Sequence, residues 1–275
     1  MKKITWIALS ISALSFSQIA YAQKAKISSA QISLQDGKVM DAKKDIDAAL
    51  QDVEIQKRVD AWTTKGEVYK DIYETKIYYA LNPNCLFEAK DAYIKASDLE
   101  LNPKKQKNFT TPLTNIQGYL FNEGLGRFNS QKYDDAYKHF DAARTINEFL
   151  LKKGLATVVD TNIIYATAMS GVSIGKTKEV TPLLQKLIEM NYNNAAVYES
   201  LAQIYETNGD KEALNKLIKK GLEKFPNSKN LQIYELNQTL DGGDLKESIA
   251  KFEKALASDP KNASIAFNLG VLYDK

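Results

Sequence analysis

Apolar side chains return every three or four residues along nearly the whole chain beyond residue 22. That spacing lines one face of an α-helix, and Gly, Asn and Pro punctuate the helical stretches. "AWTTKGEVY" sets Trp62, Gly66 and Tyr69 on one helix, and "FEAKDAYIKAS" sets Ala89, Tyr93 and Ala96 on a second. "KYDDAYKHFDAA" offers Ala136, Phe140 and Ala143 at the same spacing, with Gly124 twelve residues before Ala136. No convincing strand is found; "TVVD" and "NIIYATAM" are the nearest candidates.

The helices repeat. Pro226 and Pro260 are 34 residues apart, as are Gly209 and Gly243, while Leu201-Ala202 and Leu269-Gly270 are separated by 68, twice that period. A fixed period of this length marks stacked supersecondary units, each unable to bury its apolar face alone. The chain resembles the tetratricopeptide repeat family. That pattern asks for a bulky residue at position 4, Leu at 7, small residues at 8, 20 and 27, Tyr at 11, an aromatic at 24 and Pro at 32. The unit from Ala195 supplies Tyr198, Leu201, Ala202, Tyr205, Ile218, Gly221 and Pro226, departing with Leu214 at position 20. The unit from Lys229 supplies Phe252, Ala255 and Pro260, and departs with Leu236 and Thr239. Small residues belong where two helix backbones cross closely, with large ones filling the space on either side.

Units begin near 23, 59, 117, 161, 195, 229 and 263. The first is carried by Ala30, Gly37, Ala42, Ile46 and Ala49. The resemblance implies an all-α fold, a right-handed superhelical solenoid of antiparallel helix pairs, with about six units plus a terminal lone helix. The expected organisation is an export signal over 1–22, irregular units over 23–112 with a Tyr-rich insertion, and a more regular array over 113–275. In this register "TVVD" and "NIIYATAM" become the entry and body of a helix, with Asp160 or Thr161 as cap. The excess residues in "KDIYETKIYYALNPN" read as a lengthened first helix and a turn, with Tyr73, Tyr78 and Tyr79 packed on the next unit; the alternative is a partner-binding projection. "RTINEFLLKKGLATVVD" reads as a lengthened second helix. The sequence ends within a first helix whose partner is not present. That implies a longer array, or a lone helix serving as cap, and an unpaired helix would leave one side of Leu269 and Leu272 exposed.

The resemblance also implies a groove lined by first-helix positions 2, 5, 9 and 12. They are Gly118, Phe121, Leu125 and Phe128; Asn162, Tyr165, Met169 and Val172; Ala196, Glu199, Gln203 and Glu206; and Asn230, Ile233, Asn237 and Leu240. The first two sets are apolar and aromatic and the third is acidic and polar, which suits an apolar segment beside a basic one. The alternative is that the longer helices turn Phe121 and Phe128 into core contacts.

Charge and composition narrow the chemistry. Lys2, Lys3, the run "ITWIALSISALSF" and the small residues of "AYA" read as an export signal cleaved before Gln23. Removing its two lysines leaves 35 basic against 34 acidic residues, which gives no reason to expect nucleic acid as a partner. No later stretch approaches a membrane span. Cys85 is the only cysteine and His139 the only histidine, so no internal disulfide can close and a His- or Cys-based metal site is not expected. His139 reads as a surface or partly packed helix residue.

One stretch looks like chemistry. "SGVSIGKT", Ser170 to Thr177, departs from the phosphate-loop pattern only at Ser170. That loop needs a strand before it and an uninterrupted helix after it, and Pro182 would fall in the second turn of that helix. The repeat register instead makes Gly175 the turn glycine at position 15, where Gly209 and Gly243 stand in later units, and reads Thr181-Pro182 as a cap and first helical residue. The expected function is thus a non-enzymatic scaffold or adaptor for a protein or peptide partner, without cofactor. Its signal and its Lys-, Asn- and Tyr-rich style resemble exported repeat proteins of the Bacteroidetes group, which places it in the periplasm or elsewhere in the cell envelope. A self-associating structural component is the alternative, and a phosphate-loop hydrolase a distant one.

Overall fold

The structure, a computed structural model, describes residues 23–238 and 244–274; the signal reading, Thr239, Leu240 and Gly243 lie outside them. The described residues are helical, with no strand. Helix α1 (23–35) leads into α2 (Val39–Ala49), and α3 (Val59–Glu74) packs on α5 (Cys85–Leu99) across the short α4 (Lys76–Leu81). The one-turn α6 (Pro103–Gln106) precedes α7 (Thr110–Asn129), which packs on α8 (Tyr133–Lys152). Then come α9 (Thr161–Ser173) and α10 (Thr177–Glu189), α11 (Ala195–Thr207) and α12 (Lys211–Lys224), α13 (Lys229–Gln238) and α14 (Leu245–Ser258), and finally α15 (Ala263–Tyr273). These are the six expected helix pairs and the lone last helix. The chain forms two compact units, one ending at Ile163 and the other beginning at Ile164.

The turns show why the repeat needs glycine. At repeat position 15, Gly37, Gly175 and Gly209 have φ of 73°, 73° and 72°, the left-handed region. The following amides, of Lys38, Lys176 and Asp210, donate to Ser33, Gly171 and Tyr205 carbonyls at 2.8, 2.9 and 2.9 Å. Each turn therefore closes the preceding helix with a Schellman motif, satisfying carbonyls that would otherwise be orphaned. Gln131 holds the same position between α7 and α8 with φ 59°, a conformation costly for any residue with a Cβ.

In "SGVSIGKT", therefore, a helix precedes Gly175 and the glycine terminates it, so strand, loop and phosphate cradle are absent. Helix α10 nevertheless opens at Thr177, and the expectation that Thr181 caps it is overturned. Pro182 lies inside α10, and the Thr181 hydroxyl donates to the Thr177 carbonyl at 2.7 Å. The proline is tolerated because the amide it lacks would have served Lys178 in the first turn. Both residues are exposed, which leaves that carbonyl to water.

Packing follows the small and large positions. A Cβ placed on Gly66 would lie 2.8 Å from the Tyr93 ring, and one on Gly124 would lie 2.6 Å from the Phe140 ring. Each glycine lets a ring settle onto helix backbone, and Tyr93 and Phe140 are 2% and 1% exposed. Burying such a ring contributes about 2–3 kcal/mol. In the first unit the core runs from Ile27 and Ala30 through Ile46, Val68, Leu86 and Leu120 to Ile146 and Ile163. Polar ties join neighbouring helices: the Tyr69 hydroxyl donates to Asp47 at 2.8 Å, and Lys65 pairs with Glu88 at 2.7 Å. The "TVVD" stretch is held by Asn147 of α8, whose side chain accepts from the Asp160 amide at 3.1 Å. Asp160 in turn caps α9, its carboxylate accepting from the Asn162 and Ile163 amides. Of the two expected settings for His139, surface or partly packed, the structure gives a packed one, and more fully than expected: it is 6% exposed, with its ring 4.8 Å from Phe87 and Nδ1 2.7 Å from the Asp135 carbonyl oxygen. Three residues after Ala136 and four before Ala143, it lies on the buried face of α8, which meets α5.

Candidate functional site

In the first unit the candidate residues Phe121, Leu125 and Phe128 share one stripe of α7. Phe121 and Phe128 are partly buried, with rings 5.5 and 6.5 Å from Phe140. Phe128 also meets Tyr133 edge-on at 5.1 Å, while Leu125 between them is 39% exposed. The two rings thus flank Phe140 over Gly124, and Leu125 is the apolar side chain of the three that reaches furthest into solvent.

Beside this stripe lies a cluster that the residue types alone did not reveal. Tyr73, at the extended end of α3, packs its ring 5.1 Å from Tyr79 and 4.8 Å from Tyr119. Tyr73 and Tyr79 both donate to the Glu123 carboxylate, at 3.3 and 2.8 Å, and Glu123 also pairs with Arg127. Burial alone would raise the Glu123 carboxyl, but Arg127 and then the tyrosine hydroxyls outweigh it and hold the group below its ordinary value. Burial, and then the Glu123 charge, pushes the Tyr73 phenol upward. The inserted tyrosines are therefore spent on packing α3 and α4 against α7. What α4 offers to solvent is Ile77 and Leu81, 72% and 75% exposed.

In the second unit the first helices lie side by side. The Ser200 hydroxyl of α11 meets the Met169 sulfur of α9 at 3.8 Å, and Glu199 of α11 accepts from Asn230 of α13 at 2.9 Å. Tyr165 and Val172 are partly buried, with the Tyr165 ring 5.3 Å from Tyr192. Glu199 is also occupied by the Ser228 hydroxyl at 2.6 Å, which makes it a tie between helices. Gln203 and Glu206, one and two turns further on, are exposed. The Tyr234 phenol is pushed upward by burial and then by the Glu206 and Glu199 carboxylates, a sign of the negative field along this face. Glu206 also borders a recess of about 190 Å³ lined with Tyr205, Tyr234 and Asn237. Asn162, exposed, belongs to the first unit.

A larger cleft of about 920 Å³ opens around α13, lined in part by Ile233, Leu236, Ala255 and Ile265 and by Lys229, Lys251 and Lys254. Its cause is legible in the repeat code. Gln232 and Glu235 stand where bulky residues belong at positions 4 and 7, and both are exposed. Polar, solvent-facing side chains there, in place of bulky apolar ones, line the cleft instead of filling it.

A family model described as TPR repeat, the tetratricopeptide repeat, matches residues 237–275, the stretch that contains α14 and α15. None of the curated proteins matches the sequence. Among solved structures, the chain is similar to Pseudomonas aeruginosa pilF at 14% identity, covering 91% of this chain and 97% of that one with a TM-score of 0.44. It is also similar to a tetratricopeptide repeat protein from Parabacteroides merdae (16% identity, 92% and 99% covered, TM-score 0.40). A third is YrrB, described as a TPR protein with an unusual peptide-binding site (14% identity, 81% and 96% covered, TM-score 0.39). The class defined by the fold is an all-α protein of stacked helix pairs. Within it, residues 237–275 match the tetratricopeptide repeat model.

Proposed function

We propose that the protein is a non-enzymatic interaction scaffold of the bacterial cell envelope. In this reading it holds a segment of a partner protein against the first-helix face of its second unit. The observation that carries the reading is the row formed there. Tyr165, Met169 and Val172 of α9 supply apolar surface, and Gln203 and Glu206 of α11 supply exposed acidic and polar surface alongside. A segment with an apolar side chain followed by Lys or Arg matches that row in shape and sign. Leu125 of α7, with the partly buried Phe121 and Phe128 around it, offers a second apolar contact on the first unit. Exported repeat scaffolds need no reaction centre, and no helix of the described residues is long and apolar enough to cross a membrane.

The test is affinity capture from envelope extracts with mass spectrometry, alongside anisotropy measurements on labelled peptides that pair aromatic and basic residues. Y165A and E206K should each weaken both signals at unchanged helical content. Capture and peptide binding that survive the double variant would refute the site. Calorimetry with ATP should give no heat of binding, since Lys176 ends a helix turn and faces no phosphate cradle; saturable heat would revive the hydrolase reading.

A further inference from the structure

One end of the first unit gathers lysines that have no counter-charge. Helices α3 and α5 are joined through the short α4 and meet midway, Gly66 on Tyr93, so the start of α3 lies level with the end of α5. Lys153, just past α8, pairs with Asp98 of α5 at 2.7 Å, which brings the end of α8 there too. Three turns therefore share this end: 51–58 before α3, 100–109 between α5 and α7, and 152–155 after α8.

The carboxylates in and beside these turns are occupied. Glu54 pairs with Lys57 at 2.6 Å, Asp60 with Arg58 at 2.5 Å and Glu148 with Arg144 at 2.7 Å. Asp52 and Glu100 accept from the Glu54 and Asn102 amides at 2.7 and 2.9 Å. Lys95, Lys104, Lys105, Lys107 and Lys152, by contrast, are all exposed, and none has an ion pair among the described residues. Between them stands Leu101, 90% exposed, the barest large apolar side chain of the described residues, and Val53 in the neighbouring turn is 66% exposed.

The turn that presents Leu101 is built to hold it there. The Gln106 side chain spans the turn, donating to the Ser97 carbonyl at 2.7 Å and to the Glu100 carbonyl, and accepting from the Ser97 hydroxyl at 2.8 Å. Asn102 caps α6, accepting from the Lys104 amide at 3.0 Å, and Phe109 anchors the far side at 4% exposure. Leucine and lysines thus face outward from a fixed frame, with little backbone left to order on contact.

A bare leucine among unpaired ammonium groups makes a two-part contact. The ammonium groups attract phosphates, while the leucine enters the boundary of the acyl chains and the lysine stems keep their charges at headgroup level. The lysines come from α5, from the turn after it and from α8, a spread that suits a continuous anionic sheet. Single-stranded nucleic acid would ask for exposed rings on which bases stack, and Phe109, the one ring in these turns, is buried. The near-neutral total charge does not oppose this, because a surface senses the charges within about 10 Å of it.

We propose that this end of the first unit docks on an anionic lipid bilayer, with Leu101 entering the headgroup layer and the five lysines set against the phosphates.

Vesicle sedimentation tests this with the chain beginning at Gln23, so that the apolar run before it adds no binding of its own. The chain should pellet with vesicles of phosphatidylglycerol and phosphatidylcholine at low salt, stay in solution with phosphatidylcholine alone, and be released by high salt. Joint replacement K104Q, K105Q and K107Q should lower the partition coefficient by at least about 30-fold, and L101S by about 10-fold, at unchanged helical content. K216Q, K219Q and K220Q together remove as much charge from α12 and should change it by less than about 3-fold. A polarity-sensitive dye on Leu101→Cys reads insertion, since Cys85 is fully buried and stays unlabelled. Its emission should shift to the blue on anionic vesicles, and the same dye on Ile77→Cys, at the opposite end of α3, should not shift. No pelleting with anionic vesicles, equal losses from the two lysine sets, or an unshifted dye at position 101 would overturn the proposal. So would capture of polyglutamate without capture of vesicles, which would give the surface to an acidic protein.

Discussion

Helix α7 contains glycines whose replacement by alanine should change stability in opposite directions. In a helix interior the exchange alone stabilises by about 1 kcal/mol, because glycine loses more backbone freedom on folding. At Gly118 and Gly126 a new Cβ meets nothing within 4 Å, so G118A and G126A should realise most of that gain. At Gly124 the same methyl would lie 2.6, 2.7 and 3.1 Å from three atoms of the Phe140 ring. Carbon atoms settle at about 3.5–4.0 Å, so the ring must withdraw by about 1 Å. It has little room to do so, since Phe121 and Phe128 flank it at 5.5 and 6.5 Å and it is 1% exposed. Overpacking of this kind costs about 1–3 kcal/mol. Subtracting the propensity gain leaves G124A destabilised by about 1 kcal/mol. Urea denaturation followed by circular dichroism should show the midpoint falling for G124A and rising for the other two. Amide exchange in α7 and α8 should locate the loss, because stacked units open separately. In an F140L background, where the ring is gone, G124A should become neutral or stabilising. Equal stabilisation by all three substitutions, or a penalty at Gly124 that persists without the ring, would refute the account of Gly124 as the seat for Phe140.

Gln131 is strained at φ 59° where other units use glycine, so Q131G should raise the urea midpoint by about 0.5–1 kcal/mol of stability, and G209A should lower it. The Cys85 thiol is fully buried, and burial pushes it up to about 11. It should resist a thiol reagent at pH 8 until urea unfolds the chain, and rapid labelling of the native protein would contradict its placement. Glu123 is held below its ordinary carboxyl value, so the stability it contributes is complete above about pH 4.3 and is lost as pH falls through its lowered folded value. His139, depressed by burial, acts in the same sense: its contribution is complete above about pH 6.5 and is lost as pH falls through its own lowered value. E123Q should therefore flatten the most acidic part of the stability curve and, because the Glu123 charge favours the protonated imidazole, move the histidine part to lower pH; an unchanged acid limb would remove Glu123 from the account.

The helix pairs were legible because their determinants are local and periodic. Gly66 with Tyr93, Gly124 with Phe140 and the turn glycines at position 15 can each be read from spacing, since the closest approach of two helices permits only small residues. The cluster at Glu123 was not legible, because its partners Tyr73 and Tyr79 are 50 and 44 residues away in sequence and meet it only once α3 runs on past its expected turn. Nothing in a run of tyrosines says which carboxylate they will share. Pro182 misled because it was judged by its residue type, whereas the outcome depended on how close to a helix end it fell. His139 is buried because it stands three residues after Ala136 and four before Ala143, a spacing that puts it on the packed face. The candidate binding row was legible as a set of positions. Its charge assignment changes once contacts are known, because Glu199 is committed to Ser228 and Asn230, and Gln203 and Glu206 remain to meet a partner. The same distinction applies at α15. For want of a partner helix the repeat pattern leaves one side of Leu269 and Leu272 exposed, and that expectation is overturned: the helix turns both inward onto α14, at 7% and 2% exposure.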